Sequence, residues 1–344
     1  MEKVLITGGL GFIGSHTCVA LLENDYELVI VDNLSNSNKN VIEKIKLIVG
    51  ESRKKRIKFF EGDIKNISFI ENIFKQSIKN QAQISAVIHF AGLKSVAESV
   101  YYPLKYWETN VGGSINLLKV MENFNCRSIV FSSSATIYGN YGMQQISEDA
   151  EIDPTNPYGQ TKYAVEKILS NLFISQPSKW RIASLRYFNP VGAHPTGLIG
   201  ESPKQYPNNL LPIILKVASG EQKLLKIYGN NWPTHDGTCI RDYIHVMDLA
   251  EGHLAALSYL IKDKPKLINL NLGTGKGTTV LELIKIFEKV NCLELPREIV
   301  NRRDGDVASL VANSKNANKL LNWYPKRSLQ EVCNDSYNFH KLNN

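Results

Sequence analysis

Long apolar runs are missing from the chain. No stretch reaches 18 consecutive apolar residues, so no membrane-spanning helix is expected. The N-terminus also lacks a charged segment followed by an apolar one. It opens directly into the β-type run Lys3-Val4-Leu5-Ile6, and no secretory signal peptide is expected. Cysteine is scarce, with five residues in 344: Cys18, Cys126, Cys239, Cys292 and Cys333. Their odd number, their scatter and the lack of any Cys-x-x-Cys pair argue against a zinc site and for reduced thiols in a cytoplasmic protein; no bound metal is expected. Internal repeats and low-complexity linkers are absent as well. The formal charge is +7, yet the basic residues are dispersed. Their densest run, Arg53-Lys54-Lys55-Arg56, reads as a solvated loop between a helix and the next strand. Nucleic acid is therefore not the expected partner, and a mildly basic cleft for a diphosphate accounts for the excess equally well.

What is present is a regular alternation. A length of 344 residues suffices for one large α/β domain, or for two domains sharing a cleft, and an apolar share of 43% with a charged share of 21% is ordinary for a soluble chain. Short apolar runs occur at Val4-Ile6, Leu28-Val31, Ile57-Phe59, Ala86-His89, Ile129-Ser132 and Ile182-Leu185, with longer segments of mixed polarity between them. The early runs are apolar throughout rather than alternating, as strands of a parallel sheet covered on both faces must be. Strand–helix alternation of this kind predicts an α/β fold, a Rossmann-like doubly wound parallel sheet. After residue 187 the pattern changes. Pro190, Pro195, Pro203, Pro207 and Pro212 break it, before a strand signal at Ile268-Leu272 and a helical one at Val280-Val290. The expected division is a dinucleotide-binding region, 1–187, and a smaller mixed C-terminal region, 188–344. The latter mainly binds substrate, and some of its later segments return to pack on the first.

Thr7-Gly8-Gly9-Leu10-Gly11-Phe12-Ile13-Gly14 follows the first strand and enters the first helix. It contains Gly9-x-Gly11-x-x-Gly14 and also the offset form Gly8-x-x-Gly11-x-x-Gly14. Glycines at this spacing permit a tight turn and let the backbone approach a pyrophosphate, which then lies at the positive end of the helix. Asp32 ends the second strand, 18 positions beyond Gly14. A carboxylate there accepts from ribose hydroxyls and repels a 2′-phosphate, favouring NAD over NADP. Asp63, after the third strand, reads as a polar contact to adenine or as a strand-end turn.

Tyr158 and Lys162 stand at i, i+4, so a helix puts both on one face, and Pro157 suits its first turn. A free tyrosine titrates near pH 10; a lysine cation and a cofactor cation beside it favour the phenolate. Ser132-Ser133-Ser134 ends the fifth strand, at the sheet edge where such folds bind ligands. Ser134, Tyr158 and Lys162 together form the candidate catalytic triad.

These residues and several longer runs carry a resemblance. The runs are Asp32-Asn33-Leu34, Glu61-Gly62-Asp63-Ile64, His89-Phe90-Ala91-Gly92-Leu93-Lys94, Phe131-Ser132-Ser133-Ser134-Ala135-Thr136, Leu185-Arg186-Tyr187-Phe188-Asn189-Pro190-Val191-Gly192-Ala193-His194-Pro195, Pro207-Asn208-Asn209-Leu210, Arg241-Asp242-Tyr243-Ile244-His245-Val246 and Arg302-Arg303-Asp304-Gly305-Asp306. From residue 1 to about 330 the chain resembles the extended short-chain dehydrogenase/reductases, and most of all the UDP-glucose (UDP-galactose) 4-epimerases among them. Gln160-Thr161 stands where that family often has Lys-Ser.

The resemblance implies an NAD site built from Gly8, Gly11, Phe12, Ile13, Gly14, Asp32, Asn33, Asp63, Ile64, Phe90, Ala91, Gly92, Lys94, Asn110, Ser132, Tyr158, Lys162 and Tyr187. It implies a UDP-hexose site built from Lys94, Ser134, Tyr158, Asn189, Asn209, Leu210, Tyr228, Arg241, Arg303, Asp306 and Leu310. Two arginines suit a diphosphate and Asp306 suits ribose hydroxyls, although Arg241 could instead pair with Asp242. Leu310 replaces the residue that walls the sugar near C2, which extends the expected substrates from UDP-glucose and UDP-galactose toward their 2-acetamido counterparts. The implied activity is reversible inversion at C4 through a 4-keto sugar. A sugar-nucleotide 4,6-dehydratase is the rival, but Ala135 and Thr136 offer no carboxyl group for eliminating water. A non-catalytic NAD-binding scaffold is the other alternative, and it would have no need of the triad. A homodimer packed through helices near residues 103–124 and 157–176 is implied as well.

Overall fold

Apolar residues placed on both faces of successive strands give the molecule its layers. In Lys3–Thr7, Val4 and Ile6 join a core on one side of the sheet and Leu5 joins a core on the other; none of the three is exposed. Leu28 and Ile30 repeat this on one face, Val29 and Val31 on the other, as a two-residue side-chain period requires. The structure, a computed structural model, describes residues 2–79, 83–204, 207, 209–262, 264–303 and 305–343. Asn208 and Asp304 of the motifs quoted above lie outside them.

Seven parallel strands form the main sheet: β1 (Lys3–Thr7), β2 (Glu27–Asp32), β3 (Ile57–Glu61), β4 (Ile84–His89), β5 (Ser128–Ser134), β6 (Arg181–Tyr187) and β7 (Lys266–Leu272). Their spatial order is β7-β6-β5-β4-β1-β2-β3, so the winding reverses between β1 and β4. Ligands of such sheets bind outside the carboxyl ends of the strands at that reversal. One face is covered by α1 (Phe12–Glu23) and α4 (Val246–Lys262). The other is covered by Ile67–Lys79, Gly113–Asn123 and α2 (Pro157–Ser175). The Rossmann-like parallel sheet expected from the apolar runs is thus the observed one.

The rest of the chain exchanges strands with this body in both directions. β7 comes from the last third of the chain and pairs with β6 along its length. Conversely, Gln145–Ile146 leaves the first half to edge a small sheet ordered Thr278–Thr279, Ile240–Arg241, Ser309–Ala312, Gln145–Ile146. A third core, holding Leu211, Ile214, Leu215, Leu283, Ile284 and Phe287, lies under α3 (Leu210–Ala218). One local expectation fails: Glu51–Lys54 is a short helical turn, so the basic run begins in a helix, and two of its four charges are held by Lys54–Glu51 and Arg56–Asp25 pairs. Among the described residues no helix is long and apolar enough to cross a membrane.

Three histidines are sealed into this body. His16 has its Nδ1 2.7 Å from the Phe12 carbonyl; His89 lies between the hydroxyls of Thr7 (2.7 Å) and Ser114 (2.8 Å); His253 has its Nδ1 2.8 Å from the Leu249 carbonyl. Burial lowers the pKa of His16 and His89 to about 3 and that of His253 to about 4. Unfolded, each titrates near 6.5, so between these values the unfolded chain binds more protons and stability falls as pH drops below about 6.5. Each histidine is expected to remove about 2 kcal/mol by pH 5. Urea unfolding at pH 7 and pH 5 measures this. An unchanged midpoint would contradict it, and His16→Phe should flatten the dependence by about one histidine's share.

Candidate active site

The glycine loop is built around contacts that leave no room for a side chain. Gly8 has φ +69°, and a Cβ there would lie 2.7 Å from the Ala91 nitrogen; one on Gly14 would lie 2.3 Å from the Gly8 carbonyl oxygen. The loop therefore packs on the turn after β4, where Phe90 and Ala91 both donate to the Thr7 carbonyl. Gly11 is the N-cap of α1, with no side-chain cap and no acidic residue in the first turn. The first amides of α1 thus keep their hydrogen-bonding capacity, and the helix dipole places positive charge there. A glycine cradle ahead of an uncapped helix fits the pyrophosphate of a dinucleotide. Phe12 and Ile13 contribute the first turn.

Asp32 is buried at the end of β2. Its Oδ2 accepts from the Leu10 amide (3.0 Å), and its Oδ1 from the Leu34 amide (2.9 Å) and the Ser37 hydroxyl (2.7 Å). It ties the glycine loop to the loop after β2 and, with capacity for about four hydrogen bonds, retains one for a ligand. Asn33 donates to Asp63 (3.0 Å), joining the ends of β2 and β3. The Ile64 side chain faces the core, so its contribution to a ligand would come from its backbone. Asn110 sits in the π-type turn Trp107–Gly112. Its Oδ1 accepts from the Leu93 amide (2.7 Å), and its Nδ2 donates to the Leu93 carbonyl (3.1 Å) and the Thr161 hydroxyl (3.0 Å). Asn110 therefore fastens the segment holding Gly92 and Lys94 to α2. Thr161 was noted in the sequence only as a departure from a pattern.

The helix α2 starts where Asn156 caps the Gly159 amide (2.9 Å) and Pro157 takes the first turn. It carries Tyr158 and Lys162 against the end of β5. Lys162 is buried; its Nζ donates to the Ser132 carbonyl (2.6 Å) and lies 5.0 Å from the Phe131 ring centre and 5.9 Å from that of Tyr158. Burial pulls its pKa down to about 8, against the opposing charge of Glu166 one turn along. Burial raises the Tyr158 phenol, and its hydrogen bond with Ser134 acts in the other direction. The tyrosine is thus not a phenolate by the protein's effort alone. Tyr187 ends β6 beside Ser132. His253 spends its Nδ1 proton on Leu249, so its bare Nε2 receives the Tyr187 hydroxyl.

Beneath the pair lies a network that the motifs did not announce. Arg186 donates twice to Glu166 (2.8 and 3.1 Å) and once to the Tyr138 hydroxyl (2.8 Å), which donates to Asn271 on β7 (2.7 Å). Ser133 also donates to Glu166. The i, i+4 spacing of Lys162 and Glu166 is the one sequence signal that could have pointed to it.

The remaining expected residues form a second cluster on the small sheet. Arg241 donates to the carbonyls of Ile240 and Val307 (both 2.8 Å) and faces Asp306 (3.4 Å), which Arg303 approaches from the other side (3.8 Å). Arg303 also covers the Tyr228 ring at 4.5 Å. Asp242 is not the partner of Arg241. Adjacent strand residues point to opposite faces, and Asp242 is buried accepting the amides of Thr274, Gly275 and Ala312. Leu310 pairs in register with Arg241 and packs against the cluster of Ala135, Ile137, Tyr138, Ile146, Ala150, Phe188 and Ala312, which includes the turn that follows Ser134. The Asn189 side-chain oxygen is buried without a partner among the described residues, a vacancy in its hydrogen bonding that a ligand hydroxyl or amide would fill. Asn209 immediately precedes α3 without capping it and Lys94 follows β4; both reach Glu201, which the sequence did not single out. Leu210, the first residue of α3, packs its side chain on the third core and has only its backbone to offer.

The family model described as GDP-mannose 4,6 dehydratase matches residues 5–336. A UDP-glucose 4-epimerase of Bacillus subtilis is 47% identical over 340 residues, covering 99% of this chain and 97% of its own. The crystal structure of a UDP-glucose 4-epimerase from Stenotrophomonas maltophila with bound NAD and formylated UDP-arabinopyranose superposes with a TM-score of 0.94 at 43% identity, covering 99% of this chain and 98% of that one. That of Bifidobacterium longum in complex with NAD+ and UDP gives 0.92 at 42% identity, with 99% of each chain covered.

Proposed function

The chain belongs to the UDP-glucose 4-epimerase family, and we propose that it is an isomerase that inverts C4 of UDP-hexoses in either direction, with NAD as its resident cofactor. The observation that carries this reading is the convergence of Ser134, Tyr158 and Lys162 at the carboxyl edge of the sheet, next to a cradle that fits a dinucleotide. The turn after Ser134 favours it over dehydration. Ala135 is buried and apolar, and Thr136 directs its hydroxyl to Ser134 (3.0 Å), so no carboxyl group stands there to remove water from the sugar.

In this mechanism Tyr158 takes the proton of the sugar 4-hydroxyl, which Ser134 holds. Bound NAD supplies the acceptor for the C4 hydride and its return, so there is no net oxidation. The buried positive charge of Lys162, together with that of the cofactor, pulls the phenol down against the effect of burial. The 4-keto sugar turns about its diphosphate linkage and presents its other face. Tyr158 then returns the proton. Arg241, Arg303, Asp306, Tyr228, Asn189, Asn209 and the backbone of Leu210 hold the UDP moiety through both half-reactions. Gly8, Gly11, Phe12, Ile13, Gly14, Asp32, Asn33, Asp63, Ile64, Phe90, Ala91, Gly92, Lys94, Asn110, Ser132, Lys162 and Tyr187 hold the cofactor.

The enzyme is further read as a cytoplasmic homodimer. Its five cysteines are all free thiols, which suits a reducing compartment. Tyr101, Tyr102 and Leu104 are exposed (79%, 61% and 82%) on consecutive short helices beside α2, which itself exposes Ile174. Large apolar side chains exposed together in this way suit a covered surface. Light scattering of Leu104→Glu should report a monomer where the parent is a dimer, and a monomeric parent would refute the dimer.

Tyr158→Phe should keep bound NAD, seen by its absorbance in the purified protein, while UDP-galactose turnover falls by about 10²–10⁴. Near-normal turnover would remove Tyr158 from the mechanism. For substrate range, Leu310→Tyr should lower kcat/KM for UDP-GlcNAc and UDP-GalNAc relative to UDP-glucose and UDP-galactose. An unchanged ratio would mean that Leu310 does not border the sugar.

A further inference from the structure

We infer that Glu201 is a positioning residue that sets the two sides of the substrate cleft before UDP-hexose arrives. One of its carboxylate oxygens, Oε1, accepts from Lys94 Nζ at 2.8 Å and from Asn209 Nδ2 at 3.1 Å. Lys94 follows β4 on the cofactor side, and Asn209 immediately precedes α3 on the substrate side, its side chain leaving the helix end uncapped. The two are 115 positions apart in the chain, the sum of their separations of 107 and 8 from Glu201.

The anchor is better fixed than the groups it holds. The Glu201 side chain is 11% exposed, that of Lys94 50%. Glu201 follows a rigid reversal in which Ala193 bridges Gly200 and the His194 amide donates to the Ile199 carbonyl (3.0 Å). Gly200 lies so close to Phe339 that an added Cβ would come within 2.5 Å of the ring. Glu201 lines one small pocket with Leu211, Pro212, Leu215, Ser336 and Phe339, and its bond from the lysine cation is charge-assisted, which makes it stronger than a neutral one.

Lys94 has three N–H donors and Asn209 two; each spends one on Glu201, and the others stay available for phosphate or hydroxyl oxygens. A free lysine stem samples many rotamers, and ordering such a side chain on binding weakens affinity. Glu201 orders both side chains beforehand. Because it would help ground state and transition state alike, its loss is expected in KM rather than kcat.

The inference rests on the UDP-hexose reading of the site. The test uses the NAD-loaded protein: calorimetric binding of UDP, and kcat and KM for UDP-galactose, in the parent, Glu201→Ala, Glu201→Gln, Lys94→Ala and the Lys94→Ala/Glu201→Ala double variant. Glu201→Ala should weaken UDP binding and raise KM roughly tenfold with kcat within about threefold. Glu201→Gln, which keeps the shape and an acceptor for Asn209, should have a smaller effect and covers the case in which the alanine variant does not fold. In the Lys94→Ala background the effect of Glu201→Ala should shrink, because the two share one interaction. Unchanged or tighter UDP binding, full additivity with Lys94→Ala, or a fall in kcat alone would overturn the inference while leaving the epimerase reading intact. A parent that binds UDP but does not turn over UDP-galactose would overturn that reading, and the inference with it.

Discussion

The active-site architecture hangs on the buried ion pair between Arg186 of β6 and Glu166 of α2. Removing two charges from water costs several kcal/mol each, and only good geometry with further hydrogen bonds offsets it. Here the guanidinium donates twice to the carboxylate, Ser133 donates to it as well, and Tyr138 accepts from the arginine. Three neighbouring strands and the helix of Tyr158 and Lys162 are thereby locked in register. The network continues through Tyr138 to Asn271, so the strand contributed by the last third of the chain belongs to the same unit.

The pair also shapes the charge above it. Glu166 lies one turn from Lys162 and opposes the loss of its proton, while burial promotes that loss. Tyr158 is raised by burial and lowered by Ser134. The net effect holds the phenol above its ordinary value, so the positive charge that turns it into a base has to come with the ligand, and in a shielded site each added charge acts through a low dielectric. The neutral histidines around the site contribute shape and hydrogen bonds without adding charge: His253 receives the Tyr187 hydroxyl, and His89 bridges β1 to the helix that follows the π-type turn.

The binding surfaces on either side are built on different principles. The glycine loop offers backbone, with glycines cleared for close approach and a helix end left uncapped. The clusters proposed to take the nucleotide sugar are long side chains held by one another, with Asp306 between Arg241 and Arg303 and Glu201 between Lys94 and Asn209. Backbone sites are rigid from the outset. Side-chain sites need such counter-charges to keep flexible cations from sampling other rotamers.

The sequence by itself determined the parts whose physics is local. The glycine loop is legible because a tight turn and a helix start depend on consecutive residues. Tyr158 and Lys162 are legible because 3.6 residues per turn puts i and i+4 on one face, and the sheet is legible because strands buried on both faces must be apolar throughout. Only the tertiary structure decided which distant groups meet. Arg241 next to Asp242 reads as an adjacent pair, yet strand alternation sends their side chains apart and brings Asp306 to the arginine. Nothing near Glu201, Glu166 or Asn271 in the chain announces Lys94, Arg186 or Tyr138 as partners. Those meetings depend on the order of the strands and the path of the loops between them, which the packing of the whole core sets and no short segment encodes.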